Sequence, residues 1–202
     1  MEKISETKES ISAALKYAEH FPDVWEALAK VERTGWVKRG VQSPETVQEH
    51  TIALRNFVLN VSKSLQEFSK KDIEDILDML EIHDWAESIT GDIVTVTDDN
   101  DLRKRLKSEK ALLEQEAMHK ICDPMGTLGS EVYALWERYS QASDAPAAFA
   151  YQVDKYQAIE KAFEYEQKGM PVSTKEFIHY SAKHLTHPIL VAHLAEIQLK
   201  LK

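Results

Sequence analysis

Apolar residues recur along most of this chain with the three-and-four spacing of helices, not the alternation of strands. From Asp72 to Glu87 the stripe runs Ile73, Ile76, Leu77 and Leu80, and counting extends it onto His83, Asp84 and Glu87. From Pro44 to Val61 it runs Val47, Leu54, Val58 and Val61, with His50 on it. Between Ala147 and Ala162 it runs Ala147, Ala150, Tyr151, Ala158 and Ala162, with Asp154 in its middle. Further helices are predicted from about Ser5 to His20, Asp23 to Val31, Asp98 to Ile121 and Ser130 to Gln141. Ser173 and Glu176 have capping-box spacing for another. Ser43-Pro44 reads as the N-cap and first residue of the His50 helix, and Ser69 as the cap of the helix that ends at His83, Asp84 and Glu87. Gly91-Asp92 stops that helix, and the one β-branched run, Ile93-Val94-Thr95-Val96-Thr97, reads as an extended loop. The expectation is an all-α helical bundle. At 202 residues the chain suffices for one well-filled domain and is short for two.

Three of these helices aim ionisable groups at the interior, where a charge is costly unless it is paired, protonated or bound to a metal. A single inward His or Asp is usually a hydrogen-bonded core residue. Three helices doing the same shift the balance towards a shared cation. Neighbours on a helix diverge by about 100°, so His83 and Asp84 reach one ion only by straddling the edge of their stripe, as they do here. His50, His83, Asp84 and Asp154 make a two-imidazole, two-carboxylate set suited to one divalent transition metal ion. Imidazole ligands argue against magnesium and leave cobalt, manganese, iron, nickel and zinc open.

A net charge of −9 argues against a general nucleic-acid-binding surface, so an anionic substrate needs a local cationic pocket. The loop Arg33-Thr34-Gly35-Trp36-Val37-Lys38-Arg39-Gly40 either supplies one or is a solvated loop anchored by Trp36. The run Arg103-Lys104-Arg105-Leu106-Lys107 reads as a solvated helix face. Cys122 is the one cysteine, which excludes an intrachain disulfide and a cysteine-rich zinc site, and no base stands beside it. No stretch is apolar for long enough to cross a membrane, and Met1 to Lys8 lack the apolar core of a secretory signal, so a cytoplasmic location is expected. His179, His184, His187 and His193 fall on diverging faces of two helices split by Pro188, which speaks against a second metal site.

His50, His83-Asp84 and Asp154, in that order, resemble the H…HD…D signature of the HD-domain metal-dependent phosphohydrolases. The words Arg33 to Val41, Pro44 to His50, His83-Asp84-Trp85-Ala86-Glu87, Gly91-Asp92-Ile93, Leu135 to Tyr139 and Val153-Asp154-Lys155 are similar to the 5′-deoxynucleotidase branch of that family. The resemblance runs in order from about Val31 to Glu166. It implies a single HD domain over residues 1–202, with its core at about 31–166 and helical extensions at 1–30 and 167–202. It implies release of orthophosphate from (deoxy)nucleoside 5′-monophosphates, with His50, His83, Asp84 and Asp154 holding the metal. Glu87 is then the general acid, the residue that positions the water, or a partner of a ligand histidine, and Asp84 is both ligand and candidate base. Arg33, Trp36, Arg39 and Asp92 become candidate substrate residues. Related enzymes use an Arg-Trp pair to select deoxyribose, whereas here Thr34-Gly35 separates the two. Hydrolysis of nucleoside di- or triphosphates or cyclic nucleotides, or a non-catalytic nucleotide-sensing module, are the alternatives. A homodimer is expected from the resemblance alone.

Overall fold

The computed structural model describes residues 14–95 and 99–201. Among the described residues the secondary structure is helical, and the one β-type feature is an isolated antiparallel bridge between Glu32 and Thr46. The helices are α1 (Pro22–Leu28), α2 (Thr34–Val37), α3 (Val47–Val61), α4 (Lys70–Ile82), α5 (Glu87–Thr90), α6 (Asn100–Cys122), α7 (Gly126–Gln141), α8 (Ala145–Gln167), α9 (Thr174–Ser181) and α10 (Pro188–Lys200). No helix among them is long and apolar enough to cross a membrane.

The long helix α8 is the spine, packed against α3, α4, α7, α9 and α10. Its stripe of Ala147, Ala150, Val153, Ile159 and Ala162 is fully buried, and the small residues let neighbouring helices approach closely. One cluster joins α8 to Leu54 and Val58 of α3, Ile76, Leu77 and Leu80 of α4, and Leu190, Leu194 and Ile197 of α10. A second gathers Ile82, Trp85 and Val47 with Phe21, Leu28, Met118 and Trp136. The candidate ligands lie where these clusters meet, which fixes their backbones from several sides.

Several local expectations are corrected. The His50 helix does not open at Ser43-Pro44: Ser43 has a left-handed φ of 52°, and Thr46 is the N-cap, in a capping box with Glu49. Arg33 N donates to Glu45 O at 3.0 Å and Val47 N to Val31 O at 2.9 Å, so this pairing keeps residues 45–47 extended until α3 can start. The expected Ser5–His20 helix lies outside the described residues up to 13, and residues 14–20 form bends and turns. There the N–H groups of Lys16, Tyr17 and Ala18, which a helix would spend on its own ladder, donate to the buried Glu81 carboxylate at 2.8, 2.7 and 2.8 Å.

Ser69 caps α4 as expected, with a reciprocal bond from Asp72. Ser173 precedes α9 without forming a capping box, because the Glu176 side chain is drawn away to Arg39. The helix expected from Ser130 begins four residues earlier at Gly126. At Gly129 a Cβ would lie 1.8 Å from the Cys122 carbonyl oxygen, so the crossing of α6 and α7 demands glycine there. Val96, Thr97 and Asp98 lie outside the described residues, and α6 is capped by Asp99.

Candidate functional site

Helix α4 ends at Ile82, one residue before the pair that matters. From there Trp85 N donates to Ile82 O at 3.1 Å, Glu87 N to Asp84 O at 2.9 Å and Ser88 N to Trp85 O at 3.0 Å. These bonds span three residues, and at three residues per turn positions 84 and 87 point the same way. The expected continuous helix from Asp72 to Glu87 is therefore broken into tight turns, and α5 carries Glu87 inward.

Nε2 of His83 lies 3.1 Å from Asp84 Oδ2; Nε2 of His50 lies 3.9 Å from that oxygen and 3.2 Å from Asp154 Oδ1. His50, His83 and Asp154 each offer a ligand atom, all within 4.8 Å of one another, and all three residues are buried. This group is able to hold a metal ion. Among the described residues it is the one such group, and the tail histidines do not join it. His187 instead pairs with Glu67, and His193 packs on Phe57 and Tyr156.

The tautomers of both imidazoles follow from their partners. His83 Nδ1 lies 2.8 Å from the Leu80 carbonyl, which only accepts, so Nδ1 carries a proton and Nε2 is the nitrogen turned to the centre. His50 Nδ1 meets Gln157 Oε1 at 2.8 Å. The Gln157 amide is oriented in turn because its Nε2 donates to a Glu45 carboxylate oxygen at 3.2 Å, and Trp36 Nε1 donates to the other at 3.0 Å. Both Nε2 atoms are buried without a hydrogen-bond partner. Two buried imidazole nitrogens converging on carboxylates fit a divalent metal ion, which binds them once Nε2 is deprotonated.

The carboxylates are held in unlike states. Burial disfavours the Asp84 charge, but His83, Arg33 and His50 outweigh it and hold the group well below the usual carboxylate range. Arg33 Nη1 donates to Asp84 Oδ2 at 2.9 Å. Burial also opposes the charge on Asp154, and Lys155, whose Nζ donates to Oδ2 at 2.7 Å, together with His50 holds it low. Glu87 goes the other way. It is 1% exposed, its Oε2 has no partner, and burial followed by the Asp84 charge pushes it up to about 9. Lys110 lies 3.3 Å from its Oε1.

A cavity of about 300 Å³ opens beside this centre, and Arg33, Trp36, Arg39, Asp92, Asp154 and Lys155 line it along with Ile93, Val94 and Thr95 of the expected extended loop. Asp92 ties that loop to the Arg33 loop, accepting from Thr34 N at 2.7 Å through its side chain and from Thr34 Oγ1 at 2.7 Å through its carbonyl. Trp36 is buried and stacks on Phe177, and Arg39 pairs with Glu176 and donates to Gly35 O. Sequence reasoning passed over Gln157, Glu45 and Lys110. Gln157 had a readable signal, an amide three residues after Asp154 on a buried stripe; Lys110 is one of many charges on α6 and had none.

With this geometry in place, the chain's kinship is plain: the HD domain model matches residues 25–191, and the chain belongs to the HD domain family. Within that family, it is 36% identical over 173 residues to the 5′-deoxynucleotidase HDDC2 of Bos taurus, covering 85% of this chain and 79% of the relative. The Homo sapiens 5′-deoxynucleotidase HDDC2 is 33% identical over the same shares. The 5′-deoxynucleotidase hdd1 of Schizosaccharomyces pombe is 29% identical over 88% of this chain and 86% of its own. The crystal structure of a Pyrococcus horikoshii OT3 protein superposes with a TM-score of 0.66 at 26% identity, covering 89% of this chain and 95% of that one.

Proposed function

We propose that this chain is a metal-dependent phosphohydrolase that removes the 5′-phosphate from deoxynucleoside monophosphates. The observation that carries the reading is the pair of buried, unpartnered imidazole Nε2 atoms facing the Asp154 carboxylate beside a cavity with cationic walls. The names of the relatives supply the substrate class. His50, His83 and Asp154 hold one divalent transition metal ion, with Asp84 completing the set. Cobalt, manganese, iron, nickel and zinc all suit two imidazoles and carboxylates. When bound, the ion supplies Lewis-acid charge for a phosphoryl oxygen and for the attacking water.

The chain's own groups do the rest. Arg33 faces the phosphoryl group and offsets its charge while its other contact keeps Asp84 in place. Asp84, held ionised, is poorly suited to accept a proton and serves as an anionic ligand and as the anchor of Arg33. Glu87 keeps its proton at neutral pH and gives it to the departing 5′ oxygen as the phosphorus–oxygen bond breaks. The water oxygen bonds to phosphorus, and its proton restores Glu87. Products are a deoxynucleoside and orthophosphate. Lys110, between Glu87 and Glu114, fixes the Glu87 side chain. A homodimer belongs to the same reading, with exposed Leu112 and Leu113 on α6 as apolar surface it could use.

The test is a screen of metal-stripped protein against nucleoside mono-, di- and triphosphates, each metal restored in turn. Orthophosphate from deoxynucleoside monophosphates is expected. Release of pyrophosphate or triphosphate, or no turnover with any metal, overturns the reading.

A further inference from the structure

Three aromatic rings, Trp36, Phe177 and Tyr180, line the cavity beside the metal centre. Two of them are committed to each other. Trp36 is buried and stacks on Phe177 at 4.7 Å, and the Arg39 guanidinium lies over the Phe177 ring at 4.7 Å while pairing with Glu176. These contacts fasten α9 onto α2. Tyr180 follows Phe177 by three residues and so shares its helical face. Its ring is treated differently: it is 45% exposed, and the one aromatic contact it makes among the described residues is the edge of neighbouring His179 at 5.2 Å.

Helix α9, held through Phe177 and Glu176, thus presents one uncommitted aromatic ring to the cavity. On the α8 side the lining includes Asp154, Lys155 and, one turn beyond Asp154, Ala158, whose methyl leaves width across from α9. A phosphate held by Arg33 and the metal centre has to extend the remainder of its molecule through this space. A nucleobase is planar, with an apolar face and polar edges, and a free phenol ring is suited to cover that face.

We propose that Tyr180 is the platform on which the nucleobase of the substrate stacks, and thereby a determinant of nucleotide over simple sugar phosphate; this rests on the nucleotidase reading above. Stacking uses the face that every base has, so the same residue serves purines and pyrimidines alike. Specificity here is for the presence of a base, not its identity.

The experiment compares the metal-loaded wild type, Tyr180→Phe and Tyr180→Ala on deoxyadenosine and deoxythymidine 5′-monophosphates and on 2-deoxyribose 5-phosphate, which lacks a base. Tyr180→Ala is expected to raise KM for both nucleotides about tenfold, to leave kcat nearly unchanged, and to leave KM for the sugar phosphate as it was. Tyr180→Phe keeps the ring and the wild-type values. Unchanged nucleotide KM in Tyr180→Ala, or an equal rise for the sugar phosphate, overturns the proposal. Wild-type protein that hydrolyses the base-free substrate as well as the nucleotides also overturns it while sparing the phosphohydrolase reading. Failure to release orthophosphate from any of the three removes that reading, and the stacking role with it.

Discussion

The Gln157 amide is the part of the centre whose removal has the most specific consequence. Its oxygen accepts from His50 Nδ1 at 2.8 Å because its nitrogen is committed to Glu45 at 3.2 Å. Gln157→Leu keeps the approximate volume and deletes both bonds. His50 then loses the partner that sets its tautomer, and an imidazole with its proton on Nε2 presents no lone pair to the metal. Outer partners of metal-binding histidines are worth about 10–100-fold in affinity, or about 1.4–2.7 kcal/mol. The buried N–H of His50, left without an acceptor, costs stability of about 1–3 kcal/mol in the metal-free protein. Gln157→Glu separates the effects, since it keeps an acceptor for His50 but sets two carboxylates against each other at Glu45. Metal affinity is measured by competition with a chromophoric chelator, and stability by urea unfolding of the metal-free protein. The expected order of affinity is wild type, then Gln157→Glu, then Gln157→Leu. If Gln157→Leu binds metal within twofold of wild type while losing stability, the amide is packing alone and the tautomer argument is wrong.

Other perturbations test other parts of the molecule. Glu87→Gln should lower kcat about a hundredfold or more with metal affinity unchanged; retained turnover in a steady-state assay contradicts its role as proton donor. Gly129→Ala places a methyl 1.8 Å from a backbone oxygen of Cys122, and urea denaturation should show a loss of about 1–3 kcal/mol or more as α6 and α7 are forced apart. Arg138 joins Asp75 at 2.7 Å to Asp144 at 2.6 Å. It holds Asp144 below its ordinary range, and with Lys71 it does the same for Asp75 against burial. Depressed carboxylates stabilise the fold above their unfolded pKa, near 4, and lose that contribution as pH falls through the lower folded value. Arg138→Ala should therefore cost about 1 kcal/mol at pH 7, and progressively less as pH falls below about 4. An equal cost at both ends of a pH series of unfolding curves would count against the ion pairs.

Helical periodicity alone placed α3, α4 and α8 and put His50 and Asp154 on their buried sides, because an amphipathic stripe is a one-dimensional signal. The order of His50, His83-Asp84 and Asp154 was likewise legible, as was the cap at Ser69. What periodicity misjudged were places where distant chain competes with local preference. Ser43-Pro44 looks like a helix start, but pairing with Val31 and Arg33 delays α3 to Val47. Residues 14–18 look helical up to the point where Glu81, more than sixty positions away, claims their N–H groups. Glu176 has capping-box spacing and is taken by Arg39, well over a hundred positions earlier in the chain. The tautomers of the two imidazoles, the proton on Glu87 and the free face of Tyr180 depend on which groups meet across helices and on how much water is excluded. No spacing along the chain encodes that; only the packing of α8 against its neighbours decides it.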